Sequence, residues 1–240
     1  EDHAPASDQL RIQALGGATV WRGTRELAPA DWGYGKPREL LFLLASSPPR
    51  SKAEVGRALW PDLSDIGLRN AFHTALRDLR RALGDPGWVR FAAGRYTLDR
   101  ARDHVSDLEI FTEALDAARQ ARPADAALPH LLRAVHAYGG EFAAGLPDAE
   151  WLSDRRAQLA RQYARALAAA GQLLIAAGRI GPAVEIYRRA AAHDPLDETV
   201  HRNLINALIR AGQNAQAAQT YHQLADRLRD ELGIAPSPEI

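Results

Sequence analysis

Asn70, Thr74, Arg77 and Arg81 follow one another at spacings of 4, 3 and 4, with His73 at their margin. On a helix that rhythm lays all five along one side. The chemistry available to them is hydrogen-bond recognition. Asn pairs with adenine, Arg with guanine or with phosphate, and Thr meets the thymine methyl group. The plain alternative is a solvated face, since amphipathic helices ordinarily turn charged residues to water. Arg90 and Arg95 follow in a short alternating segment, where they read as phosphate contacts or as charges guarding a strand edge. From Arg69 to Arg102 eight Arg stand against three Asp, a local excess of five positive charges. Arg69 and Arg80 fall at the flanks of the row, where pairing with protein carboxylates competes.

Other chemistries find little support. With no cysteine, disulfides, Cys-ligated zinc, iron–sulfur clusters and thiol catalysis are excluded. The eight histidines include no i, i+4 pair for clamping a metal, and no phosphate loop, dinucleotide fingerprint or zinc-protease motif occurs. Asp197 and Glu198 sit after Pro195 at an expected helix start, where the positive dipole end accounts for them. Tyr187 and Tyr221 read as packing residues of a repeat, not a ligand cage. No catalytic residue, cofactor or metal is expected, and the protein is not read as an enzyme. The longest apolar run, Leu40 to Ala45, is far short of the roughly 20 residues of a spanning helix. A soluble, cytoplasmic protein without a membrane partner is therefore expected. The chain begins with Glu1 and not Met, as an excised or processed chain does, and residues 1–9 read as a flexible flank.

The elements that must position the row are short and mixed. Leu10–Leu15 and Ala18–Arg22, separated by two glycines, read as strands. Pro37 to Ala45 reads as a helix with Pro in its first turn. Ser51-Lys-Ala-Glu54 is a capping box for a short helix to Leu59, ended by Trp60-Pro61-Asp62. Leu68 to Leu83 then carries the row on one side and Phe72, Leu76, Leu79 and Leu83 on the other, stopped by Gly84. Trp88–Phe91 and Arg95–Leu98 form a hairpin. Three helices followed by a hairpin is the order of a winged helix.

Composition changes near residue 103, after four of the five Trp, into an Ala-, Leu- and Arg-rich stretch of helical period. Helices are expected over 108–121, 126–138 and 151–174. Gly178, Ala183 and Tyr187 recur 34 residues later as Gly212, Ala217 and Tyr221, the tetratricopeptide period. Gly171, Ala190 and Pro195 fall where such a unit takes small residues and its closing Pro. The expected fold is α+β, a winged helix-turn-helix over 10–102 followed by an all-α tetratricopeptide-like domain over 103–240. The zero net charge divides with it: 16 basic and 12 acidic residues up to 102 give +4, and 14 and 18 beyond give −4. Such a division suits a basic reader joined to an acidic partner-binding domain.

These stretches together resemble the Streptomyces antibiotic regulatory protein family, an OmpR-type winged helix joined to a bacterial transcriptional activator domain. The likeness rests on Leu10-Arg-Ile-Gln-Ala-Leu-Gly16, Pro37-Arg-Glu-Leu-Leu41, Leu59-Trp-Pro-Asp62, and Asn70 through Gly84. It continues in Gly94-Arg-Tyr-Thr-Leu98, Tyr138-Gly-Gly-Glu-Phe142, Trp151, Asp194-Pro195 with Glu198, and Glu231 to Ser237. The resemblance implies a transcription activator that binds promoter direct repeats in double-stranded DNA, with protomers associating side by side. It also implies recruitment of RNA polymerase through its sigma and other subunits. Asn70, His73, Thr74, Arg77 and Arg81 match the DNA-facing positions of the third helix, and Arg95 the wing. The loop Pro61 to Gly67, with Asp62 and Asp65, matches one that commonly meets polymerase. Relatives often continue into a further helix, and some carry ATPase or sensor domains. The competing reading is a signalling adaptor whose helical domain binds a peptide or small-molecule effector while the winged helix docks to protein.

Overall fold

Three strands open the fold: β1 (Leu10–Gln13), β2 (Thr19–Arg22) and β3 (Arg25–Glu26). They are followed by α1 (Gly35–Ala45), β4 (Arg50–Ser51), α2 (Lys52–Leu59), α3 (Asp65–Leu83), β5 (Val89–Ala92), β6 (Arg95–Leu98) and β7 (His104–Ser106). The computed structural model describes residues 9–240, so the flank read over 1–9 lies, Gln9 apart, outside the described residues. One sheet has the order β3-β2-β1-β7, with β7 parallel to β1; the other has the order β4-β6-β5. Strand β1 alternates as a half-buried strand must, Leu10 and Ile12 inward, Arg11 and Gln13 outward. Leu40 to Ala45 are all buried because α1 packs against both α3 and β6. That accounts for a run apolar on every side.

Local signals set most boundaries. Ser51 Oγ accepts from the Glu54 N–H and the Glu54 carboxylate accepts from the Ser51 N–H, closing the expected capping box at 3.2 and 2.7 Å. Helix α3 begins at Asp65, one turn before the expected Leu68, and Ser64 Oγ accepts from Gly67 N–H at its start. That extra turn buries no residue, and Ile66 is 77% exposed, so hydrophobic periodicity gave no sign of it. In the hairpin Ala92 pairs with Arg95, leaving Ala93 and Gly94 as a two-residue turn at φ 48° and 75°. Positive φ at both positions is the type I′ turn that matches strand twist.

The helices that follow are α4 (Asp107–Gln120), α5 (Leu128–Ala137) and α6 (Glu150–Ala176), each within a few residues of expectation. Asp107, opening α4, accepts from the N–H groups of Ala14 and Leu15 at 2.8 and 2.9 Å. Burial pushes its carboxyl pKa up, and those hydrogen bonds oppose the rise. The segment after α5 also reaches the end of β1. Gly16 N–H donates to the Glu141 carbonyl, Ala143 N–H donates to the Ala14 carbonyl, and Leu15 bridges Phe142. A Cβ on Gly139 would stand 2.7 Å from the Leu15 oxygen, and one on Gly16 2.8 Å from the Gly139 carbonyl. Only glycine permits that approach. Packing accordingly gathers residues up to Ile110 and Ala137–Leu159 into one unit, and Phe111–His136 and Ala160–Ile240 into a second.

In the second unit α7 (Ile180–His193), α8 (Glu198–Arg210) and α9 (Asn214–Leu232) pack in sequence. The 34-residue repeat extends to the caps. Gly178 N–H donates to Ile175 and Arg179 N–H to Leu174; Gly212 N–H donates to Ile209 and Gln213 N–H to Leu208, both glycines lying at positive φ. The same helix-ending bonds recur one period on. Asp197 caps α8, its carboxylate accepting from the N–H groups of Thr199 and Val200. One expectation fails. Tyr187 is buried, but Tyr221 is 38% exposed and not part of the core. The two copies differ at the facing position. A Cβ on Gly171 would lie 2.5 Å from the Tyr187 ring, so only a glycine leaves room for that ring. The second copy has Ile205 at the position of Gly171.

Candidate nucleic-acid interface

Helix α3 positions the predicted row. Phe72, Leu76, Leu79 and Leu83 are buried on one side, and Asn70, His73, Thr74, Arg77 and Arg81 are all exposed on the other. The inward stripe fixes the rotation of the helix, and the outward row follows from it. Buried Asp78 sits between the two arginines, its Oδ1 3.3 Å from Arg77 Nε and 3.4 Å from Arg81 Nη1. The arginine side chains nevertheless remain 73% and 63% exposed. Asp78 holds both guanidinium groups at one edge and leaves the rest of their donors facing solvent.

The hairpin arginines are more heavily engaged. Arg90 lies 3.5 Å from Asp99. Arg95 Nη1 donates to the Pro49 carbonyl at 2.9 Å and to the Glu54 carboxylate at 3.0 Å, tying β6 to the start of α2. Hydrogen bonds from Ser51 first, and the Arg95 guanidinium after them, hold the Glu54 pKa at about 2. The local charge excess is therefore partly consumed within the protein. Arg100 pairs with Glu109, and Arg102 pairs with Asp85 while lying over the Trp88 ring. Arg80 bonds the Val89 carbonyl, joining α3 to the hairpin, and among the described residues it meets no carboxylate at ion-pair distance. Arg69 stays exposed beside the row.

The structure thus brings the five α3 residues onto one exposed face and puts Arg90 and Arg95 on the hairpin, each held by its own acid. Sequence reasoning missed Asp78 as the group that orients Arg77 and Arg81. Its i, i+3 spacing to Arg81 was the available signal. It also missed exposed apolar groups near the row's elements: Ile66 in the first turn of α3, Leu63 before it, and Phe91 on β5, 59% exposed and packed on Tyr96. Among the described residues no cluster of three metal-binding side chains occurs, and no helix is long and apolar enough to cross a membrane.

Comparison with known proteins adds a second line. Residues 106–240, more than half of the chain, match the family model of the bacterial transcriptional activator domain. The chain belongs to that family. Beyond the matched region, similarity to activator-domain relatives runs nearly the whole length. The regulatory protein AfsR of Streptomyces coelicolor is 31% identical over 238 residues, 97% of this chain and 23% of AfsR. The transcriptional regulatory protein EmbR of Mycobacterium tuberculosis is 26% identical over 221 residues, 88% of this chain and 57% of EmbR. This activator-domain chain therefore spans about a quarter of the AfsR length and little over half of the EmbR length. A solved structure of Mycobacterium tuberculosis EmbR in complex with a low-affinity phosphopeptide aligns at a TM-score of 0.70 and 23% identity, covering 96% of this chain and 62% of that one. The fold is the same: mixed α/β with strands toward the N-terminus, then helices.

Proposed function

We propose that the chain is a sequence-specific, DNA-binding transcription activator. In this reading α1 to α3 and the β5–β6 hairpin act as a winged helix. Helix α3 enters the major groove of promoter direct repeats, and the tetratricopeptide-like helices recruit RNA polymerase through its sigma subunit. The observation that carries the reading is the exposed row of Asn70, His73, Thr74, Arg77 and Arg81, set on a helix rigidly fixed by its buried stripe. Arg77 and Arg81, oriented by Asp78, suit guanine or phosphate; Asn70 suits adenine. Arg90 and Arg95, 58% and 49% exposed, supply phosphate contacts by exchanging a protein carboxylate for a DNA phosphate. Family membership and the names of the relatives support regulation of transcription, and no cofactor or catalysis enters the proposal.

The test is selection of bound fragments from a random duplex pool, followed by titration of the winner over a range of salt. A directly repeated motif is expected, with affinity falling steeply as salt rises because phosphate contacts release counterions. Arg77→Ala is expected to weaken the selected site by about 1–3 kcal/mol and relax preference at one base position. Enrichment of no sequence would overturn the proposal and favour an adaptor that uses this face on protein.

A further inference from the structure

We infer that the second unit holds a binding site for an apolar chain ending in a carboxylate, with a hydrogen-bond donor close to that end: the chemistry of an N-acyl amino acid. The site is a cavity of about 510 Å³ bordered by α4, the turn Ala124–Ala127, α5 and α6. All of its lining residues belong to that unit. Its size lies in the roughly 300–1,000 Å³ range of small-molecule sites.

Leu115 and Leu131 form apolar walls, and Ala166 and Ala169 stand on the α6 side. Those two alanines leave open the space that larger side chains fill in a close-packed interior. The apolar lining calls for an apolar body, and the volume suits a small molecule.

Two further observations define the other end. Arg119 and Arg165 are exposed at the cavity, and among the described residues no acidic side chain lines it. Arg119 is ion-paired with Asp116 on its own helix, whereas among the described residues Arg165 has no carboxylate at ion-pair distance. An anionic group complements that guanidinium. Gln162, one turn before Ala166, has its side-chain Oε1 buried without a hydrogen-bond partner. Buried acceptors are rarely left unpaired, because losing water without gaining a donor costs stability. A donor carried into the cavity beside the anionic group, as the amide N–H of an N-acyl amino acid is, answers Gln162 once its side chain turns toward the cavity.

The test is calorimetric titration of the full chain with N-decanoylglycine, with its neutral methyl ester, and with decanoate, which lacks the amide. Saturable binding of N-decanoylglycine is expected, tighter than that of either analogue. Arg165→Gln, a surface change, is expected to weaken N-decanoylglycine by about two- to fivefold while leaving the methyl ester unaffected. Ala169→Phe fills the cavity and is expected to abolish binding of all three, with circular dichroism checking that the helices persist. Absence of saturable binding, equal loss of ester and acid in the Arg165 variant, or undiminished binding in a folded Ala169 variant would overturn the inference. So would displacement of the probe by an acidic amphipathic peptide that binds more tightly than any of the three. None of these outcomes depends on whether the chain binds DNA.

Discussion

Arg77 and Arg95 carry the same charge, yet their neighbours give them different work. Arg77 touches one oxygen of Asp78 and keeps most of its fork in solvent; Arg95 is bound by a carbonyl and a carboxylate on another element. The pairing was hidden from sequence because Glu54 and Arg95 lie 41 positions apart. His104 illustrates a further effect of neighbours on one side chain. Its Nδ1 lies 2.9 Å from the Arg102 carbonyl and its Nε2 2.6 Å from Glu109 Oε2. Both partners are acceptors, so only the doubly protonated imidazolium donates to each. The hydrogen bond to Glu109 raises the His104 pKa above its ordinary value, while burial and Arg100 work against the rise. A raised folded-state pKa means that the stabilisation is fully present below the ordinary histidine value of about 6.5. It is lost as pH climbs through the higher folded value. Thermal melts between pH 5.5 and 8.5 are therefore expected to show stability declining toward alkaline pH, with a shallower decline in His104→Gln. Equal slopes in the two proteins would refute the assignment.

At the scale of elements, sequence was most informative where a local rule operates. The 4-3-4 spacing of α3, the Ser51–Glu54 capping box and the 34-residue period each correspond to an observed feature. Strands of two or three residues left no such trace: β3, β4 and β7 carry too few positions for alternation to register, and the partners of β4 and β7 are distant in sequence. The bridge of Leu15 to Phe142 is longer-range still. The repeat was legible as a pattern of small and aromatic residues, but that pattern did not register that the second copy has Ile205 where the first has Gly171, and there Tyr221 is exposed. The close approach at Gly171 gives a direct test. Gly171→Ala places a Cβ against the Tyr187 ring, and overpacking of this kind costs about 1–3 kcal/mol. In a Tyr187→Leu background the penalty is expected to shrink, because the atoms in the way are gone. Chemical denaturation of the four proteins of this cycle measures the coupling, and strict additivity would show that Gly171 is chosen for some reason other than the ring.

At the scale of the whole molecule, the step in composition at residue 103 and the packing do not coincide. Composition records where helical periodicity takes over, whereas burial in the first unit depends on residues well past that step. The main chain of β1 and its extension needs partners from three later places. Leu10 N–H donates to the Asp103 carbonyl, Ala14 and Leu15 donate to Asp107, and Gly16 and Ala14 pair with Glu141 and Ala143. Phe142 is fully buried in the same unit, edge-on to Phe42 at 6.4 Å between ring centroids. A fragment ending at Arg102 keeps α1, α2, α3 and the hairpin but loses β7, Asp107 and the 139–143 segment together. Each backbone group so stranded in a buried setting costs about 1–3 kcal/mol, against a total domain stability of about 5–15 kcal/mol. Removal of Phe142 also uncovers Phe42 and Leu15. The fragment is therefore expected to melt well below the 240-residue chain or without a cooperative transition, and its β1–β2 region to be cut first in limited proteolysis. Extending it to Leu159 restores every one of these partners, and is expected to recover protection of β1 and β2 even though α6 is then cut short and α7, α8 and α9 no longer complete the second unit. Equal melting and equal protection of the fragment ending at Arg102 and the full chain would place the folding boundary at the compositional step.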